Sequence, residues 1–384
     1  MNARRMQEPV APLSDDPALS PTLPGYYYSD PAVLEREKQA IFFRDWQLIG
    51  HRSQLAAAGD YITCEILGQK VFALRDGKDT LRAFFNVCQH RAHELLSGRS
   101  GNTRNAVVCP YHAWTYRLDG SLRTARGTEK MPAFDPADYG LVPLRLEEVL
   151  GFLFVSLDPE APSLAERQAA FFADLRREMP WIEEVRVLTD QAIDGLDDGC
   201  LEANWKILAE NCLECYHCAP AHPAFVDLIS IDSYRCTTHD RWQKSYGELR
   251  RGDNKAYPVA TDAPVRTAIF WHLFPNIQLG CFPGERVISA FSFTPLSAER
   301  TALRSFLLAV PGETPTAERL DYVAKVLWPE DEGLCRSVHQ GLKSMGYRQG
   351  RFVMHPDRPG ISENGVHHFQ QVYARSLGAA QDSR

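Results

Sequence analysis

Four residues in one short stretch carry thiolate and imidazole donors at a fixed spacing. In NVCQHRAHELLSGRSGNTRNAVVCPYHAWTYRLDGSL, Cys88 and His90 form C-x-H, and Cys109 and His112 form C-x2-H, with 18 residues between the pairs. Two loops that each offer one thiolate and one imidazole can hold tetrahedral zinc. They can equally hold a [2Fe–2S] cluster, with both cysteines on one iron and both histidines on the other; two neutral imidazoles in place of thiolates raise the reduction potential. Three features favour the cluster. C-x-H is an unusual zinc spacing, Pro110 stiffens the second loop, and strand-like sequence rather than a zinc-finger helix joins the loops. His51 and His93 lie nearby and are read as structural residues.

A second constellation lies in LEANWKILAENCLECYHCAPAHPAF. A helix is expected over Leu201–Tyr216, which puts Glu214 and His217, three apart, on one face. Pro220 and Pro223 end it, leaving His222 on a turn from which it can swing back toward His217. Two histidines and one carboxylate on one face of a metal form the facial set of non-haem Fe(II) oxygenases, with positions left open for O2. Cys212, Cys215 and Cys218 form C-x2-C-x2-C in the same place. On a helix they cannot converge on one cluster, so they read as small buried residues beside the metal. Glu210 reads either as a partner of the ligands or as a charge on the helix face, and Asn211 is available to orient the ligands through hydrogen bonds.

These motifs carry a resemblance. C-x-H followed by CPYHAW-x-Y-x-x-x-G, with Gly120 at the turn, resembles the Rieske domain of ring-hydroxylating oxygenases, although Ala113 stands where a glycine is common. NWK…EN…E-x2-YH-x4-H resembles the catalytic signature of the oxygenase large subunit. The resemblance implies that His217 and His222 bind mononuclear iron, and that Asp331 in WPEDEGLCRSVHQGLKSMGY is the distant carboxylate ligand, with Glu330 and Glu332 as its rivals. It implies that Glu214, where many members have Asp, bridges electron transfer from a neighbouring subunit's cluster. It further implies a homotrimer, O2 as co-substrate and an NAD(P)H-dependent reductase. ENCLECYHCAPAHP and EDEGLC-x3-HQGL-x-S-x-GY-x2-GRF are most similar to the branch acting on quaternary ammonium compounds: choline, glycine betaine, carnitine and stachydrine. A site for such cations presents aromatic faces. Phe270, Trp271, Phe274, Phe282, Phe291 and Phe293 lie on the strands expected to wall it, while Cys212 stands where amine-type relatives often carry an aromatic residue.

The elements that must position these groups are legible in outline. Residues 1–25 hold five prolines and read as an extended arm. Asp30 through Trp46 has helical spacing, with Asp30 as N-cap and Pro31 at the first helical position. From about 47 to 158, short apolar runs separated by Gly, Asp and Asn read as an all-β domain. Leu164–Met179 is helical, 267–310 returns to strands, and 314–348 is helical. The fold class is α+β: an all-β Rieske domain (47–158) inserted near the N-terminus of a second domain (26–46 and 159–384). By the resemblance, that second domain is helix-grip-like, with a central antiparallel sheet.

Composition sets the outer limits. The chain has 384 residues, 44% hydrophobic and 24% charged, and a formal charge of 42 − 49 = −7. No basic run points to nucleic acid. No stretch approaches the roughly 20 apolar residues of a membrane span, and the N-terminus lacks an apolar signal core, so a cytoplasmic protein is expected. Ten cysteines in so long a chain do not make a disulfide framework. The expected activity is hydroxylation of a carbon beside the nitrogen of an N-methylated amine, giving N-demethylation. Hydroxylation of an aromatic or carboxylate substrate on the same scaffold is the alternative, and a Rieske electron carrier or redox sensor is the alternative from another class.

Overall fold

Asp30 opens the first helix, α1 (Pro31–Glu37), by accepting from Ala32 N at 2.8 Å, and Pro31 supplies a preset φ in the first turn. The helix does not run on to Trp46: Lys38–Phe42 is a single π turn. The computed structural model describes residues 11–189 and 199–379, so the first ten residues of the expected arm lie outside it. The chain divides into one unit of Phe42–Glu183 and a second of Met1–Ile41 with Glu184–Arg384.

In the first unit the short apolar runs are strands: β1 (Gln47–His51), β2 (Asp60–Ile66), β3 (Gln69–Arg75), β4 (Leu81–Phe85), β5 (Ser100–Asn102), β6 (Val107–Val108), β7 (Thr115–Tyr116), β8 (Leu122–Thr124), β9 (Pro143–Val149) and β10 (Phe152–Ser156). Seven form one sheet in the order β1-β10-β9-β4-β3-β2-β5, and β6-β7-β8 form a small second one. The donor-bearing loops follow β4 and link β6 to β7, over a core that includes Phe72, Phe84, Trp114 and Tyr116. Gly120 turns the chain after the second loop. Its φ is +88°, and a Cβ there would run into the Phe84 ring, so glycine is required twice over. Helices α2 (Leu164–Arg167) and α3 (Ala169–Glu178) close the unit. Phe172 meets Phe154 of β10 edge-on at 6.1 Å, and Trp46 Nε1 donates to Pro162 O at 3.0 Å. The segment 159–183, grouped by sequence with the later domain, therefore packs here, because its apolar face is matched by these strands.

The second unit is built on one sheet of β11 (Arg186–Thr189), β12 (Cys200–Leu201), β13 (Arg235–Thr238), β14 (Trp242–Glu248), β15 (Thr267–Leu273), β16 (Ile277–Cys281), β17 (Val287–Ser297) and β18 (Arg300–Ala309). The order is β11-β18-β17-β16-β15-β14-β13, with β12 also on β18, and every pairing is antiparallel. The helix expected over Leu201–Tyr216 is α4 (Trp205–Asn211) alone. Asn204 caps its start, and the Glu214 carboxylate accepts the backbone N–H of Tyr216 and of His217, which draws those groups out of a helical ladder. The helix has thus ended before Pro220 and Pro223. Two short helices follow, α5 (Cys218–Ala221) and α6 (Phe225–Leu228). After the sheet come α7 (Ala317–Tyr322), a π turn (Val323–Leu327), α8 (Trp328–Leu342) and α9 (Asn364–Ala379).

Helix α4 is anchored by a buried polar knot. Lys206 Nζ lies 2.5 Å from Glu37 Oε1 with both side chains fully buried, Trp205 Nε1 donates to Glu37 Oε2 at 2.8 Å, and Tyr373 donates its hydroxyl to Glu37 at 2.6 Å. The Lys206 ammonium also sits over the Tyr28, Trp205 and Tyr373 rings. Charges taken out of water in this way are tolerable only because each finds several partners.

Candidate metal centres and substrate cavity

The two loops of the first unit share one backbone pattern. Cys88 N donates to His93 O and Ala92 N to Cys88 O; Cys109 N donates to Trp114 O and Ala113 N to Cys109 O. Ala92 and Ala113 both take left-handed φ, +55° and +58°, which explains why glycine is the commoner residue at the second position. Cys88 and Cys109 are buried, 3% and 2% exposed, while His90 and His112 are exposed with ring centres 4.7 Å apart. Burial pushes the Cys109 thiol up, and a hydrogen bond with the neighbouring Cys88 adds to it. Two buried sulfurs and two exposed imidazoles fit a cluster that Cys88 and Cys109 would hold from the inner side and His90 and His112 from the outer. The Tyr116 hydroxyl lies 3.2 Å from Cys88 Sγ and accepts from Gln89 N at 3.0 Å. Sequence marked Tyr116 only as part of a motif. Neither nearby histidine joins this set: His51 caps the turn at 52–54, and the His93 backbone carbonyl closes the first loop.

In the second unit, His217, His222 and Asp331 each offer one ligand atom, and these atoms lie within 4.8 Å of one another. His222 Nε2 is 2.9 Å and His217 Nε2 3.6 Å from Asp331 Oδ1. The opposite nitrogen of each ring is held by a carboxylate: His217 Nδ1 by Glu214, and His222 Nδ1 by Glu330 Oε2 at 2.7 Å. Each imidazole is thereby fixed with Nε2 toward Asp331, the arrangement that orients metal-binding histidines generally. Sequence reasoning treated Glu330 as a rival to Asp331; the geometry gives the two neighbours different jobs. Burial disfavours a charge on His217, but Asp331 and Glu214 outweigh it and raise its proton affinity to about 10. Burial likewise opposes ionisation of Asp331, yet the two imidazoles hold its carboxyl down to about 2. A set that binds a proton so firmly attracts a cation, and two imidazoles with one carboxylate is the donor chemistry of mononuclear iron.

Beside this set lies a cavity of about 150 Å³, a size that holds a benzene-sized molecule. Phe270, Phe282, Phe291 and Phe293 line it, as expected, together with Cys212 and the unanticipated Trp328. Trp271 does not: it is fully buried and pairs with Leu279, on the face of the sheet opposite Phe270 and Gly280. Phe274 is also outside the cavity and packs against Phe369. For Trp271 strand alternation gives the reason, since neighbouring residues point to opposite faces, whereas Phe274 lies just past the end of β15. Cys215 and Cys218 are joined as a disulfide, leaving Cys212 free; burial, then Asp331 and Glu214, push its thiol well up, so it is neutral. Glu210 accepts from Tyr28 at 2.7 Å and from Gln370 at 2.9 Å, and lines a separate cavity that reaches Glu214 and His217. Asn211 lines both cavities.

The family described as Rieske [2Fe-2S] domain matches residues 45–135, and that described as Ring hydroxylating alpha subunit (catalytic domain) matches 182–379. The chain belongs to the Rieske-type oxygenase alpha subunits. It is 38% identical to the carnitine monooxygenase oxygenase subunit of Acinetobacter baumannii, over 94% of this chain and 96% of that one. It is 30% identical to the chloroplastic choline monooxygenase of Amaranthus tricolor, over 91% and 76%. A solved quaternary ammonium Rieske monooxygenase superposes with a TM-score of 0.88 at 35% identity, covering 96% of this chain and 99% of that one. The protein is thus a Rieske non-haem iron oxygenase with a [2Fe–2S] centre and a mononuclear iron centre, acting on a small molecule with O2. Among the described residues no helix is long and apolar enough to cross a membrane.

Proposed function

We propose that this protein is a monooxygenase that hydroxylates a carbon next to the nitrogen of an N-methylated, quaternary amine. Cys88, Cys109, His90 and His112 hold the cluster, and His217, His222 and Asp331 hold the mononuclear iron. A NAD(P)H-dependent reductase supplies electrons, and the working form is a cytoplasmic homotrimer in which Glu214 bridges electron transfer between subunits. The observation that carries the reading is the pairing of a two-histidine, one-carboxylate set with an aromatic cavity directly beside it. The relatives named for carnitine and choline support the same substrate class.

When bound, the iron supplies activation of O2 at its open positions and the cluster supplies electrons singly. The chain's own residues do the rest. Glu214 and Glu330 hold the two imidazoles in one tautomer and orientation. Phe270, Phe282, Phe291 and Phe293 offer ring faces to a trimethylammonium group and exclude water around it. Glu214 bonds the His217 ring and the backbone N–H of the half-exposed Tyr216, and this position beside the metal set supports its reading as the bridge.

The reaction consumes one O2, two electrons and two protons, places one oxygen in the C–H bond and releases water. If an N-methyl carbon is hydroxylated, its C–N bond then breaks with the electron pair going to nitrogen and the hydroxyl proton to solvent, leaving the demethylated amine and formaldehyde. Product analysis with a reductase, NADH and a panel of N-methyl compounds tests this. Formaldehyde in step with O2 consumption is expected. Trimethylamine in its place moves the attack to a chain carbon, and no amine product from any N-methyl compound, with aromatic acids turned over, overturns the substrate class.

A further inference from the structure

The central strand β16 carries a glycine that its backbone does not require. Gly280 pairs with Phe270 of β15 on one side and with Ser289 of β17 on the other. Its φ is outside the left-handed region, so any residue could adopt its conformation. A glycine inside a strand weakens it, and one is kept where a neighbour or a ligand must come close. What comes close here is a ring. A Cβ built on Gly280 would lie 3.1 Å from Phe270 Cδ1 and 3.4 Å from Phe270 Cε1. The Phe270 ring therefore lies across the Gly280 backbone, on the face of the sheet that looks into the cavity.

Gly280 and Ser289 are neighbours across the β16–β17 ladder, and both line the cavity. Two small residues side by side indent a floor whose other members are large. Phe270 flanks the indentation across β15–β16, and Phe291 lies two residues along β17 on the same face. The Phe270 ring has little room to retreat. It meets Phe282 edge-on at 5.1 Å, and Phe282 meets Phe225 in turn at 6.5 Å. A methyl group added at Gly280 would thus fill the indentation and lift the Phe270 ring toward the open space. In a close-packed wall a single methylene is felt, and the cavity measures only about 150 Å³.

We infer that the Gly280–Ser289 indentation sets the size limit of the ammonium head group, with Gly280 as a positioning residue that acts through Phe270. This rests on the amine reading above and concerns the bulk of the head group alone. Anaerobic calorimetry on the iron-loaded holoenzyme tests it with tetramethylammonium and diethyldimethylammonium. One ethyl group of the larger probe must enter the head-group space whichever way it binds. Gly280→Ala should lower the affinity for the larger probe relative to the smaller by about tenfold or more, the weight of one methylene in a hydrophobic pocket. Adding Phe270→Leu should restore the ratio, because the shorter side chain leaves room for the new methyl. Ser289→Ala widens the same indentation by one atom and should shift the ratio the other way, toward the larger probe. An unchanged ratio in Gly280→Ala, with iron content and cluster spectrum intact, overturns the inference; if that variant does not fold, an unchanged ratio in Ser289→Ala does so. A ratio that stays low in the double variant overturns the route through Phe270. If neither probe binds the parent with its full iron, the amine reading itself fails, a result distinct from all of these.

Discussion

At the scale of single residues, the geometry gives jobs to side chains that carry no metal. Tyr116 reaches Cys88 Sγ, and a hydrogen bond to a cluster sulfur stabilises the reduced form. Tyr116→Phe should therefore lower the cluster's reduction potential by tens of millivolts, given that about 1.4 kcal/mol corresponds to about 59 mV for one electron. Redox titration of the visible spectrum reads it. Glu330 holds His222 Nδ1, and loss of such a partner typically weakens metal binding by about 10–100-fold. Glu330→Gln should lose mononuclear iron to a chelator at far lower concentration than the parent while keeping its cluster absorbance. The cysteines and histidines proposed to hold the cluster stood out in the sequence because thiolates and imidazoles at close spacing have few other uses. Glu330 was not, because adjacent acids look alike in sequence and only the rotation of α8 puts one on the metal side and the other on a ring nitrogen.

At the scale of elements, the broken helix is the informative feature. Apolar spacing predicted one helix from Leu201 to Tyr216, and nothing in periodicity shows that the Glu214 side chain takes the N–H groups of Tyr216 and His217. The strands of 267–310 were legible, yet which aromatics face the cavity depended on register, and Trp271 fell on the wrong face. Two predictions belong to α4. Lys206→Met leaves Glu37 buried without its cation, and removing one partner of a buried pair costs about 3–5 kcal/mol; thermal unfolding should show it. Glu210 is a carboxyl whose pKa burial raises to about 7, despite hydrogen bonds from Tyr28 and Gln370. Between its ordinary value of 4.5 and 7 the folded state holds a proton that the unfolded state has released, so this group's contribution makes stability fall as pH rises through that window. Glu210→Gln should flatten the slope of Tm against pH over that range, and a slope identical to the parent's would contradict the assignment.

At the scale of the whole molecule, each of two compact units carries one candidate centre, and both stood out because each has its own motif. The division itself was less legible. The segment 159–183 reads as generic amphipathic helix, and only its packing against Trp46 and Phe154 assigns it to the first unit. Metal analysis should give three irons and two acid-labile sulfides per chain, and sedimentation should give three times the 43.3 kDa chain mass. The most direct test of the central claim is a single turnover without reductase. Protein reduced at both centres is mixed with O2 and a quaternary N-methyl amine, and product and cluster oxidation are followed together, in the parent and in His217→Ala. Hydroxylated or dealkylated amine from the parent, and none from a variant whose cluster spectrum is unchanged, is the predicted result. Product from the variant, or loss of its cluster along with its activity, would contradict the division of labour between the two metal centres.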